Sequence, residues 1–446
     1  MRFTKLIENI TDKNTYIIIY SLLVIFVMDT SIVKISAFTG GFYYSQNFYN
    51  ALFICTAASF GFIQFVILRV VKHKYHESVA QKKLKLHILS KLVGYANYGM
   101  IAILITIILE MFLSSSYNIG FVFAIIWTSY GITLVMLSFL SFIFLRWFKR
   151  VKSPVILAYA TAILMISINI VIAIIFISIE LGGFDNIIYP STSPVGHLNI
   201  SSILLNNLYN ITFVMSFILT WSATAILLNY YSRVIGKAKY WVLISIPLVY
   251  FLASFQSLIV DLFLPLRLAD PLIFGVIYTL TFSATKPAGA ILFGIAFWAL
   301  ARNLLNRTVK NYMVICSYGM IILFAANQPI GLLLTPYPPF GLTTVSFMAV
   351  ASFLILIGFY SAAISVSLDS SVRKSIKKTA ISQSQLLDKL GIAEYEREIE
   401  RRVFMVTKKT KDLIENEAGI TTSLSPEDIR AFIAEISEEI KSKKGQ

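Results

Sequence analysis

The sequence has 446 residues, of which 57% are hydrophobic and 14% are charged, and its mean hydropathy is +0.75. A soluble domain carries about 25% charged residues, so this composition excludes a soluble globular protein and indicates an integral membrane protein. The net charge of +15 alone would allow nucleic-acid binding. However, no basic helix or aromatic platform stands clear of the apolar segments, so a nucleic-acid partner is not expected.

Ten apolar runs of about 20 residues or more follow one another along residues 1–366, and each is long enough to cross ~30 Å of hydrocarbon. We number these predicted spans 1 to 10, and they cover residues 15–36, 50–71, 92–114, 119–145, 154–179, 209–230, 240–260, 272–301, 312–334 and 342–366. Most connections are short. The predicted fold is therefore an all-α, polytopic membrane bundle of about ten transmembrane helices, with consecutive helices packed as antiparallel hairpins.

The basic residues of this predicted membrane domain lie in alternate connections. Twenty of them precede span 1 or follow spans 2, 4, 6 and 8, whereas the opposite connections hold only Arg267. The positive-inside rule then places both termini in the cytoplasm, in a protein that crosses the cell membrane several times. The first apolar run is too long for a cleavable signal peptide, and no small-residue cleavage site follows it.

Residues 367–446 form a second predicted unit, a charged, amphipathic and helical cytoplasmic tail. Its basic and acidic residues nearly balance, at 15 and 14. Ser425 resembles an N-cap with Pro426 at the first helical position, and the helix that follows has an apolar face made of Ile429, Phe432, Ile433, Ile436 and Ile440. This tail is interpreted either as a helical hairpin folded on itself or on the membrane domain, or as a docking face for a protein partner or a second copy.

The residue least compatible with hydrocarbon is Lys286, near the middle of span 8. An ammonium at this depth costs roughly 2.5–3.5 kcal/mol on insertion scales, so it must face protein or water. Asp29 in span 1 lies at the same depth, about 22 Å from the inner end of its span. Equal depth and opposite charge predict an ion pair between Asp29 and Lys286. The alternative is that Asp29 faces the outside and that Lys286 binds carbonyl groups freed by Pro287.

Two predicted helix breaks lie next to these charges. Pro287 and Gly289 interrupt span 8 within the segment Thr285–Gly289. Pro329 and Gly331 interrupt span 9 in the same polar-Pro-x-Gly pattern. Non-helical backbone survives inside a membrane where it is buried in protein or lines a cavity, although plain kinks are an alternative. The neutral polar residues at the breaks would add hydrogen-bonding groups to the site, namely Thr285, Asn327 and Gln328.

The sequence contains no recognisable catalytic motif. It has no H-E-x-x-H zinc motif and no P-loop, and its four histidines lie between the spans. We therefore expect neither an enzyme nor a bound metal or cofactor, although a membrane enzyme of unfamiliar type stays open.

The pattern predicts a transporter or permease for a small solute. Lys286 would bind an anionic group or take part in ion coupling, with Asp29 as counter-ion or proton carrier. The alternative is a membrane-anchored sensor or scaffold, or a subunit of a membrane complex, whose tail recruits a partner.

Overall fold

The computed structural model describes residues 20–35, 46–76, 86–188, 200–255, 262–304, 306–328, 330–368 and 384–418. The helices, numbered in chain order, are α1 at residues 20–35, α2 at Gln46–His76, α3 at Leu86–Ser114, α4 at Ile119–Val151, α5 at Pro154–Leu181, α6 at Ile200–Leu228, α7 at Tyr231–Ile235, α8 at Lys237–Ala253, α9 at Leu264–Ala269, α10 at Pro271–Phe282, α11 at Thr285–Arg302, α12 at Arg307–Ala326, α13 at Ile330–Leu334, α14 at Leu342–Leu368 and α15 at Ser384–Ala418. Two short strands, β1 at Ser116–Asn118 and β2 at Asn186–Ile188, pair antiparallel.

Eight helical segments in these ranges are long and apolar enough to cross a membrane, so the protein is a multi-pass integral membrane protein built as a helical bundle. They are Asn47–Val71, Ile88–Ser114, Ile119–Val151, Pro154–Leu181, Ile203–Leu228, Leu272–Arg302, Arg307–Leu334 and Leu342–Leu368, and they correspond to predicted spans 2 to 6 and 8 to 10. Predicted span 1 contains α1, and predicted span 7 overlaps α8. The described parts of these two helices have 16 and 17 residues, so the count of ten stays a prediction.

Local sequence explains the tight connection from α3 to α4. The Asn118 side chain accepts a hydrogen bond from the Gly120 N–H at 2.7 Å, which caps the first turn of α4. The Asn118 N–H in turn donates to the Glu110 carboxylate at 2.9 Å. Glu110 therefore has a local structural partner near the end of α3.

Helix α14 lies at the centre of the bundle, with α2, α3, α4, α12 and α15 around it. Its most apolar 18-residue stretch is entirely buried. Such a helix is expected where every face meets protein. Close approach to α12 depends on Gly358, since a Cβ placed there would lie 2.6 Å from the Cβ of Cys316 and 2.9 Å from its backbone nitrogen. Small residues at such contacts let membrane helices pack at short distance.

The tail helix α15 packs against α14 and α4. Its first turns bury Leu387 and Leu390, and a Cβ at Gly391 would lie 2.3 Å from Cγ1 of Val366. The Trp147 indole N–H of α4 donates to the Glu394 carboxylate at 3.1 Å. The first turns of α15 thus pack on the bundle, whereas residues 401, 402 and 404–406 are exposed, so both interpretations of the tail stay predictions. The predicted docking face at residues 429–440 lies outside the described residues, and the predicted boundary at residue 366 falls two residues before the end of α14.

Candidate functional site

The predicted break at Thr285–Gly289 is helical, and span 8 is divided instead at a turn just before it. Helix α10 ends at Phe282 and α11 begins at Thr285, so Ser283 and Ala284 form the turn. Pro287 is the third residue of α11, where a backbone N–H would have no acceptor within the helix, and proline is therefore tolerated there. Gly289 is also helical, and a Cβ there would lie 2.2 Å from the Phe217 ring of α6. Both residues belong to the start of α11 rather than to the break itself.

Span 9 is interrupted at the same level of the bundle. Helix α12 ends at Ala326 and α13 begins at Ile330, so Asn327 and Gln328 are non-helical. Gly331 is the second residue of α13, whereas Pro329 lies outside the described residues. The polar residues predicted for this break are therefore in the non-helical turn.

The Lys286 side chain joins the two interruptions. Its Nζ donates to the Asn327 carbonyl oxygen at 3.1 Å and lies 4.4 Å from the centroid of the Phe213 ring. The last carbonyls of a helix lack partners and carry the negative end of the helix dipole, so the end of α12 attracts a cation. The face of an aromatic ring attracts a cation as well. The half-buried ammonium is thus held by neutral groups.

A buried amide network fixes the carbonyl that Lys286 uses. The Asn327 Nδ2 donates to Oδ1 of Asn169 at 2.9 Å. The Asn169 Nδ2 donates to the Tyr209 carbonyl and to the Thr212 hydroxyl, both at 3.0 Å. Asn169 of α5 is fully buried and was not among the predicted site residues. The only sequence signal for it is an amide side chain in the middle of the apolar span 5.

Asp29 is bound at the start of α14 rather than to Lys286. The Thr344 hydroxyl donates to Oδ2 of Asp29 at 2.5 Å, and the carboxylate lies against the backbone of Gly341. Thr344 is in the first turn of α14, where the helix dipole and free N–H groups favour an anion.

The predicted ion pair between Asp29 and Lys286 is therefore not formed. In the described part of the chain, no nitrogen–oxygen contact within 4.0 Å joins the two side chains. The physical reason is that interrupted helices offer ends of either polarity inside the bundle. Each charge is stabilised by a helix end of opposite sign, which replaces the counter-ion that the sequence alone led us to expect.

Lys34 is a second cation of the site that the sequence analysis missed. Its Nζ donates to the Phe282 carbonyl at 3.0 Å, at the end of α10. The Thr285 hydroxyl donates to the same carbonyl at 2.9 Å. Lys34 therefore binds the helix end at the first interruption, and Lys286 binds the helix end at the second. In the sequence, Lys34 lies near the end of span 1, where it has the position of an ordinary flanking lysine.

The second interruption also contacts α1. The Thr30 hydroxyl donates to Oε1 of Gln328 at 2.8 Å, and Thr30 follows Asp29 in the chain. The structure thus brings Lys286, Thr285, Asn327 and Gln328 together around the two breaks, with the helix that carries Asp29 and Lys34 beside them. Among the described residues, no group of three or more His, Cys, Asp or Glu side chains is placed to hold a metal ion.

No match was found in three comparisons with known proteins, namely a scan against protein-family models, a search of curated proteins and a search of solved structures.

Proposed function

We propose that the protein is a membrane transporter for a small anionic solute that binds beside Lys286, between the two helix interruptions. The observation that carries this proposal is the half-buried ammonium of Lys286, which is held at the end of α12 by a backbone carbonyl and an aromatic face. Charged side chains inside a membrane bundle pair with other charges or with backbone carbonyls, and they often mark a substrate or ion pathway. Within the described residues, Lys286 has one carbonyl acceptor, so N–H donors remain for an anion.

The broken helices support transport over a static anchor. Many transporters bind their substrate near the middle of the membrane, where discontinuous helices meet. Here α10 and α11 form one discontinuous span and α12 and α13 form another, and Lys286 connects them. Asp29 lies beside this site. We assign it the role of counter-ion or proton carrier, because its Oδ1 atom is buried and lacks a hydrogen-bond donor among the described residues.

Reconstitution tests the proposal directly. The purified full chain is inserted into liposomes, and uptake of chloride, nitrate, acetate and phosphate is measured against protein-free liposomes. At least one of these anions should cross faster with protein than without it. Correctly inserted protein that carries none of the four would contradict the proposal.

A second candidate function, a sensor whose tail recruits a partner, is favoured by the position of α14. Thr344 near its start contacts Asp29, and Val366 near its end packs against Gly391 of α15. These two contacts are 22 residues apart, which is about 33 Å along the helix. A rigid central helix of this kind can transmit a shift at the site to the tail. In this proposal, both termini are cytoplasmic and residues 367–446 bind the partner.

Gly391→Val tests this connection. The larger side chain cannot fit against Val366, so α15 should leave the bundle, and trypsin should cleave residues 384–418 at least about tenfold faster. Gly99→Val is the control, because no atom lies within 4 Å of a Cβ at that position. If anion flux changes together with tail release, α14 couples the two sites. Unchanged flux with a released tail would contradict the coupling, and unchanged cleavage would contradict the packing of α15.

A further inference from the structure

Two lysines, rather than one, face the interrupted spans. The Phe282 carbonyl accepts from Nζ of Lys34 and from the Thr285 hydroxyl, and Thr285 directly precedes Lys286. Lys286 donates to Asn327, and the next residue, Gln328, accepts from Thr30, which lies one helical turn before Lys34 in α1. Like charges held together in a membrane interior are costly unless something of opposite charge joins them.

The hydrogen bonds of the two ammonium groups are incomplete within the described ranges. Each ammonium has three N–H donors. Within those ranges, each ammonium group has one hydrogen-bond acceptor, which is a backbone carbonyl. Neither group lies within 4.0 Å of a carboxylate oxygen. Both lysines therefore have donors to offer a ligand without losing their contacts to the helix ends.

The charges of the site determine the charge of its ligand. Lys34 and Lys286 contribute two positive charges, and Asp29, which is only 2% exposed, contributes one negative charge. The three side chains therefore carry one net positive charge, which the helix ends around them offset only in part because each end carries about half an elementary charge. A ligand with one negative charge balances the charged side chains, whereas a neutral ligand or a divalent anion does not.

We propose that Lys34 and Lys286 together bind one singly charged anion, with Asp29 in its ionised form as the counter-charge that excludes divalent anions. This inference rests on the proposed transport function and names its substrate class. The Gln328 side-chain amide donates one N–H to the Ala325 carbonyl and has a second N–H for the same ligand, whereas the Thr285 hydroxyl donates its only hydrogen to Phe282. The charge is what the site recognises, so a halide and a small carboxylate are both of the proposed class.

Binding to the purified full chain in detergent tests the charge rule at constant ionic strength. Isothermal titration and thermal stability are measured with chloride, acetate, sulfate and neutral acetamide. Chloride or acetate should bind at least about tenfold more tightly than sulfate, and acetamide should not bind. Tighter binding of acetate than of chloride would identify a carboxylate substrate, and the reverse order would identify a halide.

Single substitutions test how each charged side chain of the site contributes to anion binding. Lys34→Met should weaken binding of the monovalent anion at least about tenfold, and Lys34→Arg should retain most of it. Asp29→Asn should move the preference toward sulfate. Lys310→Met, at an exposed position, should bind like the original protein.

Two results would overturn the inference. The first is Lys34→Met protein that binds the anion normally. The second is Asp29→Asn protein with an unchanged preference for monovalent anions, which remains informative if Lys34→Met fails to fold. In either case, the transport proposal still stands if the wild-type protein carries anions and Lys286→Met does not. Absence of anion flux in the wild-type protein would contradict both the transport proposal and the inference about the two lysines.

Discussion

Liposomes that contain the Lys286→Met protein should take up anions about 10- to 100-fold more slowly than liposomes with the original protein. Methionine is of similar length and fills the same space, so the bundle should remain packed. The change removes the ammonium that donates to Asn327 and would donate to the solute. Hydrogen bonds to a charged group contribute about 1.5–3 kcal/mol, and each 1.4 kcal/mol corresponds to about a factor of ten.

The matched control for this experiment is Lys310→Met, which removes an exposed lysine at the start of α12. Both variants should insert and elute as single species in size-exclusion chromatography, and only Lys286→Met should lose flux. Normal flux in a well-folded Lys286→Met protein would show that the solute does not bind at this lysine.

Gly358→Val should prevent stable folding of the bundle. The new Cβ would lie 2.6 Å from the Cβ of Cys316 and 2.9 Å from its backbone nitrogen, and backbone atoms cannot rotate away. Helix α14 is enclosed on all sides, so it has no free direction in which to move. We expect a destabilisation of about 3 kcal/mol or more, which is a large part of the stability of a typical protein.

Thermal unfolding in detergent and the yield of monodisperse protein measure this effect. Gly131→Val in α4 is the control, because no atom lies within 4 Å of a Cβ at Gly131. It should unfold within a few degrees of the original protein. Equal unfolding temperatures for the two variants would mean that α12 and α14 are not in the close contact described above.

Hydropathy alone was sufficient to predict the class of the protein and most of its helices. Eight of the ten predicted spans correspond to helices that can cross a membrane, because burial in lipid requires long apolar runs whatever the detailed packing. The position of the first break was less accurate. Proline is compatible with the first turn of a helix, so Pro287 indicates that a helix begins nearby rather than that one ends at the proline itself.

The partners of the charged residues could not be predicted from the sequence. The sequence pairs Asp29 with Lys286, because residue types reveal charged side chains but not the dipoles of helix ends. The structure places Asp29 at the start of α14 and Lys286 at the end of α12. Asn169 cannot be recognised from the sequence for a related reason, since the role of a neutral amide in an apolar span depends on the helices that pack around it.

The enclosure of α14 has a consequence for how the molecule assembles. This helix follows the other candidate spans in the chain, so it enters the bilayer after they do and first meets lipid. Its apolar surface is needed for that passage, although no lipid touches its central stretch afterwards. The contact between Thr344 and Asp29 can therefore form only after α14 has entered the space between the earlier helices.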